Sequence, residues 1–131
     1  MLREDDFQFT KEVFVYDHIG LKVRDIDSSV RFYGAVAEAL GLEKDSSGTG
    51  FGPKGEPALW LYEGGKSAGS GTHVAFRARS RAAVDKFHAA GVKAGGKDHG
   101  KPGVRTDYSP KYYAAFLVDP DGNNVEAVCM E

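Results

Sequence analysis

A single cysteine, Cys129, excludes an intrachain disulfide and fits a reducing compartment. No apolar run approaches the ~18 residues that cross a bilayer. No basic-then-apolar leader opens the chain either, so a cytoplasmic protein with no membrane partner is expected. Neither sign of charge dominates: 19 acidic residues against 17 basic ones give a formal net charge of -2. Lacking a basic excess, the chain has no footprint of a nucleic-acid binder. Glycine is plentiful at 17 residues but has no collagen-like period. A chain of 131 residues buries roughly two-thirds of its unfolded surface, enough for one core without a staple.

What is there is a pattern that runs twice. Residues 1–12 are polar and read as a tail, and residues 13–131 read as one domain. The run Val13 to Val23 is rich in β-branched and aromatic residues and predicts a strand. Asp27 or Ser28 caps a helix whose apolar stripe is Val30, Tyr33, Val36, Ala37 and Leu40, with Gly41 at its end. Residues 43–55 are turn-rich with room for one weak strand, and Ala58 to Glu63 is a clear strand. A Gly/Ser-rich connector, 64–71, then separates a first unit (13–64) from a second (72–130). In the second unit, Thr72 to Ala78 is a strand and Ser80 caps a helix carrying Ala83, Val84, Phe87 and Ala90. Gly91, Gly95 and Gly96 mark that helix's unravelling, and residues 97–110 read as a long polar loop. Strands at Lys111 to Val118 and Asn124 to Met130 flank the dense turn Asp119-Pro120-Asp121-Gly122-Asn123.

A slide of 55 positions brings His18 onto His73, Leu21 onto Phe76, Lys22 onto Arg77 and Phe32 onto Phe87. Repetition of one strand–helix–strands unit predicts two copies about a pseudo-twofold axis, with His18 and His73 near each other. Three ionisable residues then stand within mostly apolar strands: His18, His73 and Glu126. A carboxylate between Val125 and Ala127 is the most informative, because an unpaired buried charge is expensive. Two imidazoles and a carboxylate form a three-ligand set that leaves open positions on Zn, Fe, Mn, Co or Ni. The competing reading is structural, with each histidine satisfied in place and Glu126 paired with Lys22, Arg77 or Arg79.

The pieces Tyr16-Asp17-His18-Ile19-Gly20-Leu21, Ser29-Val30-Arg31-Phe32-Tyr33, Gly71-Thr72-His73-Val74-Ala75-Phe76 and Asp119-Pro120-Asp121-Gly122-Asn123-Asn124-Val125-Glu126 resemble the vicinal oxygen chelate superfamily. That superfamily groups glyoxalases, bleomycin-resistance proteins and extradiol dioxygenases. The resemblance covers the chain from Val13 onward and implies an α+β fold. Two tandem βαβββ modules would form a curled mixed sheet or open barrel around a divalent metal. It implies His18, His73 and Glu126 as metal ligands and a homodimer as the working form. The strand that carries a fourth ligand in glyoxalases reads Ala58-Leu59-Trp60-Leu61-Tyr62 here, with no carboxylate, Gln or His. This departure weighs against glyoxalase I itself.

The function implied is a glyoxalase-like lyase or isomerase that chelates two neighbouring oxygens of a small polar substrate. The alternatives are dioxygenase-like ring cleavage, thiol transfer, and a non-catalytic drug or metabolite binder. Glu126 and His99 are the candidate catalytic residues. Trp60, Tyr62, Arg105, Tyr108 and Tyr112 are the candidate substrate contacts, Arg105 for an anionic group. Cys129 lacks a nearby base and is not a nucleophile candidate.

Overall fold

The computed structural model describes residues 16–67 and 71–131. The expected tail (1–12), the strand start at Val13 to Val15 and residues 68–70 of the connector lie outside the described residues. The first unit comprises β1 (Ile19–Val23), α1 (Ile26–Ala39), β2 (Glu43–Lys44), β3 (Gly50–Gly52) and β4 (Leu59–Glu63). After a 3-10 turn at Gly65–Ser67, the second comprises β5 (His73–Arg77), α2 (Arg81–Lys93), β6 (Lys97–Val104), β7 (Tyr113–Val118) and β8 (Asn124–Cys129).

Each unit makes its own four-stranded mixed sheet, ordered β1-β4-β3-β2 and β5-β8-β7-β6. The first strand pairs in parallel with the last in both units, and the remaining pairs are antiparallel. This is the βαβββ repeat that the 55-residue offset anticipates. The expected curled sheet or open barrel is not what forms. Among the described residues no strand of one sheet pairs with a strand of the other, and neither sheet closes. The cause is that the two units join through their helices. Phe32, Tyr33, Val36 and Ala37 on α1 and Val84, Phe87 and Gly91 on α2 are buried in one core with Leu21, Leu59, Leu61, Leu117, Val125 and Ala127 from the two sheets. Burial on the helix-facing side leaves the opposite face of each sheet uncovered by any helix.

Three local readings change. His18 precedes β1 instead of sitting within it. Residues 97–104 are a strand, not a loop. β6 pairs with β7 through register shifts at Asp98/Gly100 and Gly100/Gly103, which its glycines and Pro102 accommodate. Gly91 does not end α2 but lies inside it, where an added Cβ would stand 2.2 Å from Leu117 Cδ1 and 3.0 Å from Val36 Cγ1. Glycine there permits the close crossing of helix, helix and sheet. The cap expectation for α2 holds, since Ser80 Oγ accepts from Ala83 N at 3.1 Å. For α1 the N-cap is Asp25, and its side chain accepts from Ser28 Oγ instead of capping.

Candidate functional site

Glu126 lies on β8 with the parity that points away from the helices, yet it is only 2% exposed. Its neighbours are Phe116 across the antiparallel β7 pair and Ala75 across the parallel β5 pair. Two side chains satisfy it: His73 Nε2 stands 3.0 Å from Oε1, and the Tyr112 hydroxyl donates to Oε2 in a short hydrogen bond. Lys22, Arg77 and Arg79 form no ion pair with it. Burial, and then the bond to Glu126, push the Tyr112 phenol up to about 12, so it remains a proton donor at neutral pH. Tyr108 rests edge-on against Tyr112 with centroids 4.9 Å apart. Asn124 Oδ1, two residues before Glu126 on β8, is buried without a hydrogen-bond partner.

His73 also approaches the Asn124 carbonyl through Nδ1, at 3.2 Å. Its two acceptors, a carbonyl and a carboxylate, carry no hydrogen, so both contacts are satisfied only if each ring nitrogen offers a proton or a cation. An Nδ1–H bond to a carbonyl is the arrangement that leaves Nε2 for a metal. Two ligand atoms about 2.1 Å from one ion and at right angles to it are about 3.0 Å apart. His73 and Glu126 therefore fit two positions of a divalent site. A third position is not filled within one chain: the described residues contain no group of three His, Cys, Asp or Glu able to hold a metal.

His18 stands at the head of the other sheet, 56% exposed in its side chain, with Nδ1 2.8 Å from Asp17 Oδ1. Trp60 and Tyr62 belong to that sheet as well. Their rings lie across its uncovered face because Gly50 and Gly20 leave room. A Cβ at Gly50 would be 2.6 Å from Trp60 Cζ3, and one at Gly20 would be 2.8 Å from Tyr62 Cε2. His99 is exposed on β6, and its side chain forms no hydrogen bond or ion pair among the described residues. The chain thus gathers His73, Glu126, Tyr112 and Tyr108, and keeps His18, Trp60 and Tyr62 apart from them on the first sheet. Arg105 begins the loop that Tyr112 ends, its N–H donating to the Tyr112 carbonyl at 2.7 Å. Phe116 was not anticipated as part of this face. Its parity with Glu126 becomes visible only once the β7–β8 register is known.

A cleft of about 490 Å³ opens elsewhere, lined by Arg24, Arg31, Lys97, Asp119 and Asp121 among others. Both aspartates are committed to internal hydrogen bonds, Asp121 to the Arg24 backbone N–H and Asp119 to the turn that follows it. The cleft shares no residue with the His73–Glu126 group.

Two uncovered sheet faces, each headed by a histidine and one floored by a buried glutamate, define a duplicated βαβββ protein with a polar site on its second half. Residues 15–127 match the family described as the Glyoxalase/Bleomycin resistance protein/Dioxygenase superfamily. The chain belongs to that superfamily. A glyoxalase/bleomycin resistance protein from Albidiferax ferrireducens T118 is 28% identical, with a TM-score of 0.76 over 90% of this chain and all (100%) of that one. A glyoxalase/bleomycin resistance protein/dioxygenase family enzyme from Burkholderia phytofirmans PsJN is 19% identical, with a TM-score of 0.67 over 88% of this chain and 98% of that one. A domain of the same description from Frankia sp. EAN1pec is 21% identical, with a TM-score of 0.62 over 90% and 98%. The last two share the fold alone. No curated protein matches the sequence. The fold is consistent with glyoxalase- or dioxygenase-type chemistry, and no helix among the described residues is long and apolar enough to cross a membrane.

Proposed function

We propose that the protein is a metal-dependent, glyoxalase-like lyase or isomerase that works as a homodimer. In this reading His73 and Glu126 of one subunit hold a divalent ion together with His18 of a second copy. The observation that carries it is the His73 Nε2–Glu126 Oε1 pair at 3.0 Å, with Nδ1 already committed to a carbonyl. A divalent ion held by His73 and Glu126 would supply Lewis acidity for negative charge forming on substrate oxygens. The chain's own residues set the rest. Tyr112 holds the Glu126 carboxylate in orientation through Oε2, leaving Oε1 toward His73. Tyr108, with Trp60 and Tyr62 of the second copy arriving on the same sheet as its His18, supplies aromatic walls for a small polar substrate, and His99 carries protons from the β6 rim.

Metal analysis of protein purified without added metal tests this reading. Wild type retains close to one divalent ion per chain, and Glu126→Ala loses it. Acetohydroxamate, a ligand with two vicinal oxygens, binds the metal-loaded wild type and not the variant. Stoichiometric metal in Glu126→Ala would remove Glu126 from the ligand set. Absence of metal from wild type that also fails to take up Zn, Fe, Mn, Co or Ni would leave a binding protein in place of an enzyme.

A further inference from the structure

Arg105 is built into the second sheet in a way that its sequence position does not announce. Its side chain folds back along β6, the strand that ends just before it. Nη1 donates to the Gly103 carbonyl at 2.9 Å, and Nη2 donates to the Lys101 carbonyl at 2.6 Å. The guanidinium carbon sits 5.4 Å from the centre of the Phe116 ring. Glycines make the berth: a Cβ at Gly100 would lie 3.2 Å from Nη2 and 2.9 Å from Phe116 Cδ1, and one at Gly103 would lie 3.1 Å from Nη1. Phe116 is the direct cross-strand partner of Glu126, and directly opposed residues of an antiparallel pair project from the same face. Guanidinium, Phe116 ring and Glu126 carboxylate therefore form a row across one sheet face, one strand apart.

The row carries an unmet charge. Guanidinium stays protonated at any working pH. Both anchors of Arg105 are neutral carbonyls, and no carboxylate among the described residues lies within ion-pair distance. The neighbouring cation Lys101 is differently placed, its Nζ meeting the Asp98 carboxylate at 3.0 Å. Two of the five donors of Arg105 are spent on its anchors, which leaves Nε–H and one N–H on each terminal nitrogen for another partner. A half-buried guanidinium fixed on a ring and at two points loses little freedom on binding. Its geometry matches an oxyanion.

We infer that Arg105 receives an oxyanion, a carboxylate or a phosphate-like group, carried by the substrate whose other oxygens reach the His73–Glu126 site. The inference rests on the proposed function for the location of the substrate, and not on the metal. The substrate class is then a small polar anion with its charge about two strand spacings, roughly 10 Å, from the reacting oxygens.

The test uses metal-free protein, stripped by chelation, and NMR of the Arg105 Nε–H signal. Benzoate and phenylphosphonate are titrated in separate arms, with benzamide as the neutral control. Saturable shifts are expected for at least one anion and none for benzamide, and the preferred anion identifies the oxyanion. Arg105→Gln should weaken that anion at least tenfold. Arg105→Lys, which keeps the charge but not the fork, should fall between the two and serves should the glutamine variant fail to fold. Equal anion affinity in wild type and both variants, or no saturable anion binding in wild type, overturns the inference. Arg105-dependent binding in a protein that never takes up metal would keep it while removing the metal reading. Metal uptake without Arg105-dependent anion binding would do the reverse.

Discussion

Tyr33 and Asp119, 86 positions apart in the chain, are joined by a 2.5 Å hydrogen bond with both residues buried. The bond ties the middle of α1 to the Asp-Pro-Asp-Gly-Asn turn and so fastens the first unit to the second. Asp119 Oδ1 also accepts from Asp121 N and Asn123 N, and Oδ2 accepts from Asn123 Nδ2. Burial, reinforced by the charge of Asp119, drives the Tyr33 phenol far above its usual range. The turn is therefore a staple between modules, and its acidic residues are not free to take a ligand.

Tyr33→Phe leaves Asp119 Oδ2 one donor short in a dry environment. A lost partner of a buried charged acceptor costs about 1–3 kcal/mol. The expected outcome is a lower unfolding midpoint in urea with an unchanged slope, since the surface exposed on unfolding stays the same. Asp119→Ala, which strips the acceptor from four donors at once, should be worse. A Tyr33→Phe variant as stable as wild type would show that the seam is held by apolar packing alone.

The repeat was legible because its carriers are local. The period-2 pattern of Leu21 and Val23, the stripe through Phe32, Tyr33 and Val36, and the Ser80 cap all act within a few residues. What stayed hidden depends on distant partners. β6 reads as loop because Gly100, Pro102 and Gly103 break the strand pattern, and only its irregular pairing with β7 makes it a strand. The separation into two sheets is hidden because strand composition says nothing about which faces meet; the α1–α2 packing decides that, through glycines such as Gly91. At the site, the sequence singled out His73 and Glu126, and the structure brings them together. Tyr112 as the donor to Glu126, and Phe116 as the ring beneath Arg105, required the register.

Gly91→Ala sets two effects against each other. Alanine is the better helix former by about 1 kcal/mol. Against that, its methyl group would press on Leu117, which is fully buried at 0% exposure and hemmed in by the core. Overpacking a close-packed site costs about 1–3 kcal/mol, and a 2.2 Å approach belongs at the upper end. A net loss of about 1–2 kcal/mol is expected by thermal or urea unfolding. A gain in stability would mean that the helices separate freely and that the crossing does not fix the two sheets.

Asp98 predicts a pH dependence of definite sign. His88 Nε2 at 2.8 Å, the Gly100 N–H at 3.0 Å and Lys101 Nζ at 3.0 Å surround its carboxylate. The bond to His88, then that to Gly100, hold it well below the usual carboxylate range. A carboxyl with a depressed folded-state pKa stabilises the protein above its ordinary pKa of about 3.9, and the contribution is lost as pH falls through and below that value. Asp98→Asn should therefore lower the melting temperature near neutrality, and the gap from wild type should shrink as pH drops toward 3. The effect is small, because the side chain is 41% exposed. A gap that holds constant from neutral to acid would mean that the charge of Asp98 contributes nothing.

A subunit-mixing experiment separates a site shared between copies from one within a chain. Glu126 stands on β8 and His18 just ahead of β1, and among the described residues no metal-holding group of three includes both. If His18 of one copy completes the His73–Glu126 pair of the other, His18→Ala and Glu126→Ala homodimers each lose both metal sites. A heterodimer formed by unfolding and refolding the two together concentrates both lesions in one site. Its other site keeps His18 from the Glu126→Ala chain and Glu126 from the His18→Ala chain. Random pairing gives heterodimers as about half of the dimers, each with one intact site of two, so roughly a quarter of the wild-type metal content should return on statistical grounds alone. Recovery to that level, absent from either variant refolded by itself, is the expected result. If both single variants stay metal-free and mixing restores nothing, the site needs both residues from the same chain, and the shared arrangement is wrong.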